Sequence, residues 1–232
     1  MTHRPATAPL PFPTPRSIAE PPRGRVAVFA PHPDDEVVGP GGAIAIHRTL
    51  GDPVRALVVT DGRAGDPSRA ADPAAYVETR RRESRAAAER IGGVDLTFWD
   101  YPDNCVITES DLAGATERAI EWLKLDRPDV VYQPWIGESH ADHAAVAEIA
   151  RRALDAVGFR GPRLGYEVWN PGPADLVLDI TRVAERKRAA LLCFASQLEH
   201  TAFDHFILGL NAQRALFAPK GARFAEAFTT CG

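Results

Sequence analysis

Short apolar runs alternate with longer segments of helical periodicity through most of this chain. The apolar runs, rich in Val, Phe, Trp and Tyr, occupy residues 26–32, 54–62, 95–101 and 129–135. Runs of this kind are typical of strands buried on both faces of a parallel sheet. The segments with Ala, Leu, Ile and charged residues at helical spacing occupy residues 41–50, 74–92, 109–125 and 144–158. The alternation predicts an α/β fold, a Rossmann-like three-layer sandwich with a mostly parallel sheet and helices on both faces.

The two ends of the chain depart from this alternation. Residues 1–24 are crowded with proline and lack a hydrophobic period, so we predict an extended or disordered leader there and a single domain over residues 25–232. Two apolar runs at 164–170 and 174–181, split by a Pro-Gly-Pro turn, predict a hairpin or a mixed edge of the sheet. Two or more helices are expected in the C-terminal segment that follows.

Charge and cysteine usage argue against several classes of partner. The 232 residues carry a formal net charge of −4, which provides no general attraction to nucleic acid or to an anionic membrane. No apolar stretch approaches the roughly 20 residues that span a bilayer, and the N-terminus lacks the apolar core of a signal peptide. The three cysteines, Cys105, Cys193 and Cys231, are not in CxxC spacing and indicate neither a disulfide framework nor a thiolate zinc site. These observations predict a cytoplasmic protein that acts on a small molecule.

Two polar clusters follow the first and the fourth predicted strands. PHPDDE occupies residues 31–36, and HADH occupies residues 140–143. In doubly wound folds, ligands bind beyond the carboxyl ends of the strands, near the point where the strand order reverses. We therefore expect the two clusters to meet at one edge of the sheet, although they are far apart in sequence.

The residue types in these clusters indicate a divalent metal. A catalytic zinc keeps three protein ligands and an open position for water, and His32, Asp35 and His143 supply such a set. Affinity order and metal availability leave iron, nickel and cobalt as alternatives to Zn²⁺. Asp34, beside a ligand, is placed to take a proton from metal-activated water. His140 is placed to protonate a departing amine or to stabilise an oxyanion.

Other residues near the clusters have supporting roles in this interpretation. Asp142 is expected to hydrogen-bond an imidazole and set its tautomer, as carboxylates behind metal-bound histidines do. Arg63 and Asp103 lie in loops near the expected site and are candidates for substrate contact, although turn formation also accounts for Asp103. Gln197 and Trp169 are interpreted as packing or hydrogen-bonding residues.

Simpler interpretations stay open for single residues. Asp34 or Asp35 could cap the next helix, and His140 could be a surface histidine. We interpret the remaining internal histidines as structural, namely His47, His200 and His205. No GxGxxG, GxxxxGK[ST] or GxSxG pattern is present, which argues against a nucleotide phosphate loop and against a serine hydrolase.

The two clusters together carry a resemblance to a known family. PHPDDE paired with HADH resembles the zinc-dependent N-acetylglucosaminyl deacetylases, also called the LmbE-like or PIG-L family. Weaker similarities to the family's landmarks follow in the right order, at TDG 60–62, RRRESRAAAERIG 80–92, YPDN 101–104, VLDIT 177–181, ASQ 195–197 and FAEAF 224–228. The resemblance covers most of the chain, and its two main motifs are specific as a pair.

The family's motifs imply roles for the matching positions. The resemblance implies that the metal is held by His32, Asp35 and His143. It implies a general base at Asp34, and at His140 the residue that assists the tetrahedral intermediate and the departing amine. Asp142 matches the acid that tunes the nearby histidine. Arg80 resembles the arginine that reaches the substrate side of the pocket, although a run of three arginines on a helix is also typical of a solvated face.

The resemblance implies metal-assisted removal of an N-acetyl group from an N-acetylglucosaminyl-containing small molecule, and it is compatible with a homo-oligomer. A thiol-conjugate amidase of the same family, which cleaves a larger acyl group, differs only in pocket size and stays open. A non-haem iron oxygenase also uses two histidines and a carboxylate, but its triad has HxD spacing on a β-sandwich. A receiver-like binding module has paired acids but no use for the histidines. The sequence does not identify the sugar conjugate, nor whether His140 or Asp34 protonates the amine.

Overall fold

A mixed eight-stranded sheet lies between two layers of helices in a computed structural model that describes residues 14–68, 71–104 and 109–231. The strands are β1 Arg16–Ile18, β2 Val26–Ala30, β3 Val54–Thr60, β4 Asp95–Tyr101, β5 Val130–Pro134, β6 Arg163–Tyr166, β7 Leu176–Asp179 and β8 Ala225–Thr230. The helices are α1 Asp35–Val38, α2 Gly41–Thr49, α3 Pro73–Arg90, α4 Glu109–Asp126, α5 Ala141–Ala156, α6 Ala184–Leu191, α7 Ala195–Leu198 and α8 Phe203–Arg214. The predicted α/β sandwich is confirmed, and the predicted strands and helices of the first two thirds of the chain are β2 to β5 and α2 to α5.

The order of the strands brings the two polar clusters side by side. Across the sheet the strands lie in the order β1-β7-β8-β6-β5-β2-β3-β4. β2 pairs in parallel with β3 on one side and with β5 on the other. The strand order therefore reverses between β2 and β5, and such a reversal opens a crevice beyond the carboxyl ends of the strands. The segments that follow β2 and β5 share this crevice.

Both faces of the central strands are buried. In β2, Val26 and Val28 pack on the side of α2 and α6, whereas Ala27 and Phe29 pack on the side of α4 and α5. Successive side chains of a strand point to opposite faces, so a strand covered on both sides needs apolar residues at every position. This packing explains why continuous apolar runs, rather than alternation, mark the central strands in the sequence.

The C-terminal part of the sheet differs from the prediction. The apolar runs after residue 160 form β6 and β7, but these strands do not pair with each other as a hairpin. β8 lies between them and is antiparallel to both, with Phe228 opposite Tyr166 on one side and Leu176 on the other. The predicted hairpin is wrong and the predicted mixed edge is confirmed. The turn between the two runs is a local signal, and it carries no information about a strand that inserts from the end of the chain.

The second half of the proline-rich leader has defined structure. β1 pairs in parallel with β7 and extends the sheet at its edge, with Ser17 opposite Val177. Further along, Arg23 Nε donates a hydrogen bond to Asp52 Oδ2 at 2.7 Å. Residues 14–24 of the predicted extended or disordered leader are thus ordered and include an extended strand, whereas residues 1–13 lie outside the described residues. A short, largely exposed edge strand buries little apolar surface, which explains why no hydrophobic period marks it.

Two other predictions concern membranes and disulfides. Among the described residues, no helix combines the length and the apolar character that crossing a membrane requires. Cys193 and Cys231 carry free thiols, and Cys105 lies outside the described residues.

Candidate active site

A cavity of about 290 Å³ opens at the carboxyl ends of β2 and β5. The described residues that line it include His32, Asp34, Asp35, Arg80, Asp103, Asn104, His140, Val168, Trp169, Gln197, His200, Thr201 and Phe203. Asp142 and His143 are fully buried and contact His32 from behind the cavity wall. The structure therefore brings both sequence clusters into one site.

Three donor atoms converge beside this cavity. His32 Nδ1 lies 3.1 Å from Asp35 Oδ2, His143 Nε2 lies 3.3 Å from the same oxygen, and the two nitrogens are 3.3 Å apart. Tetrahedral ligands at the usual zinc distances of about 2.0–2.1 Å are themselves separated by about 3.3 Å. The spacing and chemistry of these three donors therefore fit a divalent metal ion. His140 also lies within 4.8 Å of His32 and His143, but that wider group lacks the negative charge of Asp35.

The local chain geometry holds the three donors in place. His32 follows β2, and its backbone N–H donates to Asp35 Oδ2 at 2.9 Å, at the start of α1. His143 lies in the first turn of α5, after the loop that leaves β5. Asp34 occupies the N-cap position of α1 but accepts no capping hydrogen bond. The capping interpretation therefore does not account for the Asp34 side chain.

The outer nitrogen of His32 faces two carboxylates. His32 Nε2 lies 3.2 Å from Asp142 Oδ2 and 3.2 Å from Asp103 Oδ1. Asp142 also accepts a hydrogen bond from the backbone N–H of Asn104 at 2.9 Å, which keeps its carboxylate in place. A proton held on Nε2 by these acids leaves the Nδ1 lone pair for a metal. The imidazole that Asp142 contacts is thus that of His32.

The outer nitrogen of His143 faces a residue that the sequence interpretation missed. His143 Nδ1 lies 3.6 Å from Glu138 Oε2, and both side chains are fully buried. Glu138 precedes the HADH cluster and matches no motif used above, so only its position two residues before His140 could have drawn attention to it.

Asp34, the first carboxylate of the PHPDDE cluster, has a different partner. Arg80 Nη2 donates to Asp34 Oδ2 at 2.6 Å and to the backbone oxygen of Pro33 at 3.3 Å. Arg80 is 2% exposed, so the run of three arginines on α3 is not wholly a solvated face. Its guanidinium is paired with Asp34, and Asp34 lies beside the three donors without being one of them.

His140 is held at the start of α5 in a defined tautomer. Its Nδ1 accepts a hydrogen bond from the backbone N–H of Asp142 at 3.2 Å, which leaves Nε2 to carry the proton. Burial, together with the nearby His32 and His143, lowers the pKa of His140 below its usual value. A neutral imidazole that lines the cavity can therefore act as a hydrogen-bond donor.

Charge interactions set the protonation of the donor cluster. Burial opposes ionisation of Asp35, but His143 and His32 outweigh it and hold the pKa of Asp35 well below its usual range. Burial by itself would lower the pKa of His143, but Asp35 and Glu138 raise it to about 9. Burial raises the pKa of Asp34, and Arg80 opposes this shift. Metal binding at His143 consequently requires loss of a proton from the imidazole.

The residues predicted to contact substrate occupy different environments. Arg63 is half-exposed, its Nε donates to Asp61 Oδ2 at 2.7 Å, and it is not among the described residues that line the cavity. Asp103 lines the cavity, but its carboxylate contacts His32 and accepts the backbone N–H of Ala64 at 3.0 Å. Trp169 also lines the cavity, and most of its side chain is exposed. It is therefore a better candidate for substrate contact than Arg63.

Gln197 and His200, like Trp169, are assigned packing, hydrogen-bonding or structural roles from the sequence, and all three line the cavity. Gln197 Nε2 donates to Tyr76 Oη at 2.8 Å, which agrees with a hydrogen-bonding role, and it also borders the cavity. His200 lines the cavity as well, although the sequence predicts a structural histidine there. His47 is fully buried between Asp52 and Tyr132, as expected of a structural histidine.

Comparison with known proteins identifies relatives of this chain. Residues 27–154 match the family described as PIG-L: GlcNAc-PI de-N-acetylase. The chain is 33% identical over 191 residues to a probable N-acetyl-alpha-D-glucosaminyl L-malate deacetylase 2 of Bacillus subtilis, covering 75% of this chain and 83% of that protein. It is 32% identical over 169 residues to a 1D-myo-inositol 2-acetamido-2-deoxy-alpha-D-glucopyranoside deacetylase of Kineococcus radiotolerans, covering 60% of this chain. That match spans 47% of the Kineococcus protein, about half of its length.

A solved structure shares the fold. GalB, the 4-carboxy-2-hydroxymuconate hydratase from Pseudomonas putida, superimposes with a TM-score of 0.79 over 90% of this chain and 96% of that one. The two sequences are 23% identical, so this likeness concerns the fold alone.

Proposed function

Because the chain belongs to the PIG-L family of GlcNAc-PI de-N-acetylases, we propose that it is a zinc-dependent hydrolase that removes the N-acetyl group of an N-acetylglucosaminyl-containing small molecule. Two relatives at 32% and 33% identity are named as deacetylases of glucosaminyl conjugates, one with inositol and one with malate. The proposed substrate class is what these names share, an N-acetylated amino sugar joined to a small polar group. The expected location is the cytoplasm.

The observation that carries this proposal is the convergence of three donor atoms beside a carboxylate that is not one of them. One donor atom each of His32, Asp35 and His143 forms a triangle with sides of 3.1–3.3 Å. Asp34 immediately precedes the ligand Asp35 in the chain. A metal held by such a set supplies Lewis acidity that polarises the amide carbonyl and lowers the pKa of water. A base within reach of that water completes the requirement for hydrolysis.

In the proposed reaction, Asp34 takes a proton from water, and the oxygen of that water forms a bond to the acetyl carbonyl carbon. Burial raises the pKa of Asp34, which makes its carboxylate a stronger base. The Arg80 guanidinium, 2.6 Å away, keeps that carboxylate ionised before the reaction and fixes its direction.

His140 serves the second half of the reaction. Its Nε2–H donates a hydrogen bond to the negatively charged oxygen that develops on the carbonyl carbon. Because His140 Nδ1 already accepts the Asp142 backbone N–H, the imidazole acts here as a neutral donor. The C–N bond then breaks, and the proton held by Asp34 passes to the nitrogen. The carbonyl re-forms as acetic acid and the nitrogen leaves as a free amine, with one water consumed; transfer of the acid's proton to the amine then gives acetate and an ammonium group.

The test is release of amine and acetate by zinc-loaded protein from a panel of N-acetylglucosaminyl conjugates that includes the inositol and malate glycosides. Release is expected with the intact protein and is expected to be lost after chelation. A matched panel with longer acyl groups tests the thiol-conjugate amidase alternative. An unsaturated tricarboxylate, the substrate type in the name of the structural relative, tests hydration. The deacetylase proposal would be overturned if the protein turned over the longer-acyl substrates, or the hydration substrate, but none of the N-acetyl substrates.

A further inference from the structure

Glu138 contacts two parts of the site at the same time. Its side chain is fully buried in the loop between β5 and α5. One of its carboxylate oxygens, Oε2, faces His143 Nδ1 at 3.6 Å. The same carboxylate accepts hydrogen bonds from three consecutive backbone N–H groups, at 2.8 Å from Val168, 3.1 Å from Trp169 and 3.4 Å from Asn170.

Glu138 contacts the ring nitrogen of His143 that is not in the donor triangle, and it acts on the other nitrogen through the tautomer of the ring. His143 Nδ1 is buried and has no hydrogen-bond partner among the described residues, and 3.6 Å is longer than a hydrogen bond. Its Nε2, on the opposite side of the ring, belongs to the donor triangle. For Nε2 to offer a lone pair to a metal, the proton of a neutral imidazole must be on Nδ1. A carboxylate facing Nδ1 favours that tautomer and raises the basicity of the ligand.

The contact with the backbone concerns the outer wall of the cavity. Val168 and Trp169 both line the cavity, and the Trp169 side chain is 61% exposed. A ring of this kind offers an apolar face on which a sugar ring can pack. Three backbone donors on one carboxylate fix the loop that carries it. Glu167 holds the same loop from the other side by accepting the Gly172 N–H at 2.7 Å and pairing with Arg214.

We propose that Glu138 is a positioning residue whose one carboxylate sets the tautomer of the ligand His143 and fixes the backbone position of Trp169. Metal affinity and substrate affinity therefore both depend on Glu138. This inference rests on the proposed function, because it requires a metal at the donor triangle. Glu138 would act as a carboxylate behind a metal-bound histidine, and it would also hold the part of the cavity wall that Trp169 forms.

The experiment compares Glu138→Gln with Glu167→Gln. Both changes remove a buried carboxylate that holds the Trp169 loop, but only Glu138 faces a metal ligand. The first readout is the dissociation constant of Zn²⁺, measured by competition with a chelator, together with the visible spectrum of the Co²⁺-loaded protein. The second readout is KM and kcat for the best N-acetylglucosaminyl substrate.

Glu138→Gln is expected to weaken Zn²⁺ binding by about 10- to 100-fold and to shift the Co²⁺ spectrum, as loss of such outer partners does. It is also expected to raise KM. Glu167→Gln is expected to raise KM with a Zn²⁺ dissociation constant within about twofold of the wild type, since it contacts no ligand. If Glu138→Gln does not fold, Glu138→Asp, which retains the charge but shortens the side chain, is expected to show a smaller loss of Zn²⁺ affinity.

Two results would overturn the inference, and they differ in what they say about the proposed function. Wild-type Zn²⁺ affinity in a folded Glu138 variant would assign the residue to loop structure only and leave the deacetylase proposal intact. Failure of the wild-type protein itself to bind Zn²⁺ or Co²⁺ would overturn both.

Discussion

At the scale of single residues, the adjacent aspartates Asp34 and Asp35 differ because their partners differ. Asp35 Oδ2 lies 3.1 Å from His32 Nδ1 and 3.3 Å from His143 Nε2, whereas Asp34 Oδ2 accepts a hydrogen bond from Arg80. These different contacts agree with the roles proposed for the two neighbouring carboxylates, a ligand at Asp35 and a base at Asp34. The sequence motif places both acids at the site, and the direction of each side chain gives each acid a different set of partners.

We predict that Asp34→Asn and Asp35→Asn fail in different ways. Asp34→Asn removes the proposed base and is expected to lower kcat by about 10²- to 10⁴-fold with Zn²⁺ still bound, because general base catalysis contributes that much. Asp35→Asn removes a charged donor and is expected to lose the metal. Zn²⁺ content after dialysis, measured beside kcat, checks both. Loss of metal from Asp34→Asn would assign that residue to the ligand set.

A second prediction at this scale concerns Trp169. Trp169→Ala removes the exposed ring at the cavity wall and is expected to raise KM by about tenfold or less, in line with roughly 0.5–1.5 kcal/mol for ring stacking. kcat is expected to stay within about twofold, since the indole ring supplies no acid, base or metal ligand to the proposed reaction. Leu216→Ala, at a residue that is 78% exposed and does not line the cavity, is the control and is expected to leave KM unchanged.

At the scale of elements, the start of α2 depends on a buried ion pair. Glu226 of β8 accepts the backbone N–H groups of Gly42 and Ala43, at 2.5 and 2.8 Å. Lys187 of α6 donates to Glu226 Oε1 at 2.7 Å and to the backbone oxygens of Val38 and Gly39. This pair joins β8, α6 and the segment that follows the PHPDDE cluster.

Lys187→Met is expected to lower the free energy of unfolding by about 3–5 kcal/mol, because it leaves the buried Glu226 charge without its counter-ion. The midpoint of urea unfolding should fall with little change in its slope. Lys124→Met is the matched control, since Lys124 pairs with Glu121 on the surface and such pairs contribute about 0–1 kcal/mol. An equal effect of the two substitutions would contradict the assigned role of the buried pair.

His47, in the last turn of α2, is expected to make the stability of the fold depend on pH. His47 is fully buried, with Nδ1 at 2.8 Å from Asp52 Oδ2 and Nε2 at 3.0 Å from Tyr132 Oη. Burial lowers the pKa of His47 below 6.5, although Asp52 opposes the shift. The unfolded chain therefore binds a proton that the folded protein does not, starting near pH 6.5. His47 stabilises the fold fully above that pH and progressively less as the pH falls toward its lowered pKa.

Denaturant unfolding of the wild type and of His47→Gln between pH 7.5 and 5 should show the difference in stability between them falling with acid, with a slope of up to about 1.4 kcal/mol per pH unit from this one group. In His47→Gln the part of the slope that belongs to the imidazole should be absent, whatever the overall loss of stability. The control is His205→Gln, at a histidine on the exposed side of α8, which should leave the slope unchanged. The same slope in both variants would argue against His47 as the source.

At the scale of the whole molecule, the donor triangle joins two distant parts of the chain. His32 and Asp35 follow β2, whereas His143 lies at the start of α5, 111 residues after His32. A metal bound there is held only by the folded protein, so binding must stabilise the fold by mass action. At a free metal concentration 100 times the dissociation constant, the gain is about 2.7 kcal/mol.

We therefore expect the melting temperature to rise with added Zn²⁺ and to fall after chelation. Asp35→Asn should respond much less, while Asp34→Asn should respond like the wild type. A melting temperature that does not depend on Zn²⁺ in the wild type would argue against the metal site.

The sequence by itself determined the central strands and their helices, because periodicity and apolar runs are local consequences of which faces are buried. It also placed His32, Asp34, Asp35 and the HADH cluster at one site, since parallel strands bring their carboxyl ends to the same edge. Only the tertiary structure decided that β8 lies between β6 and β7, that Arg80 pairs with Asp34, and that Glu138 faces His143. These pairings join residues that local periodicity does not relate. Which side chain fills the space behind a given residue depends on how the whole chain packs.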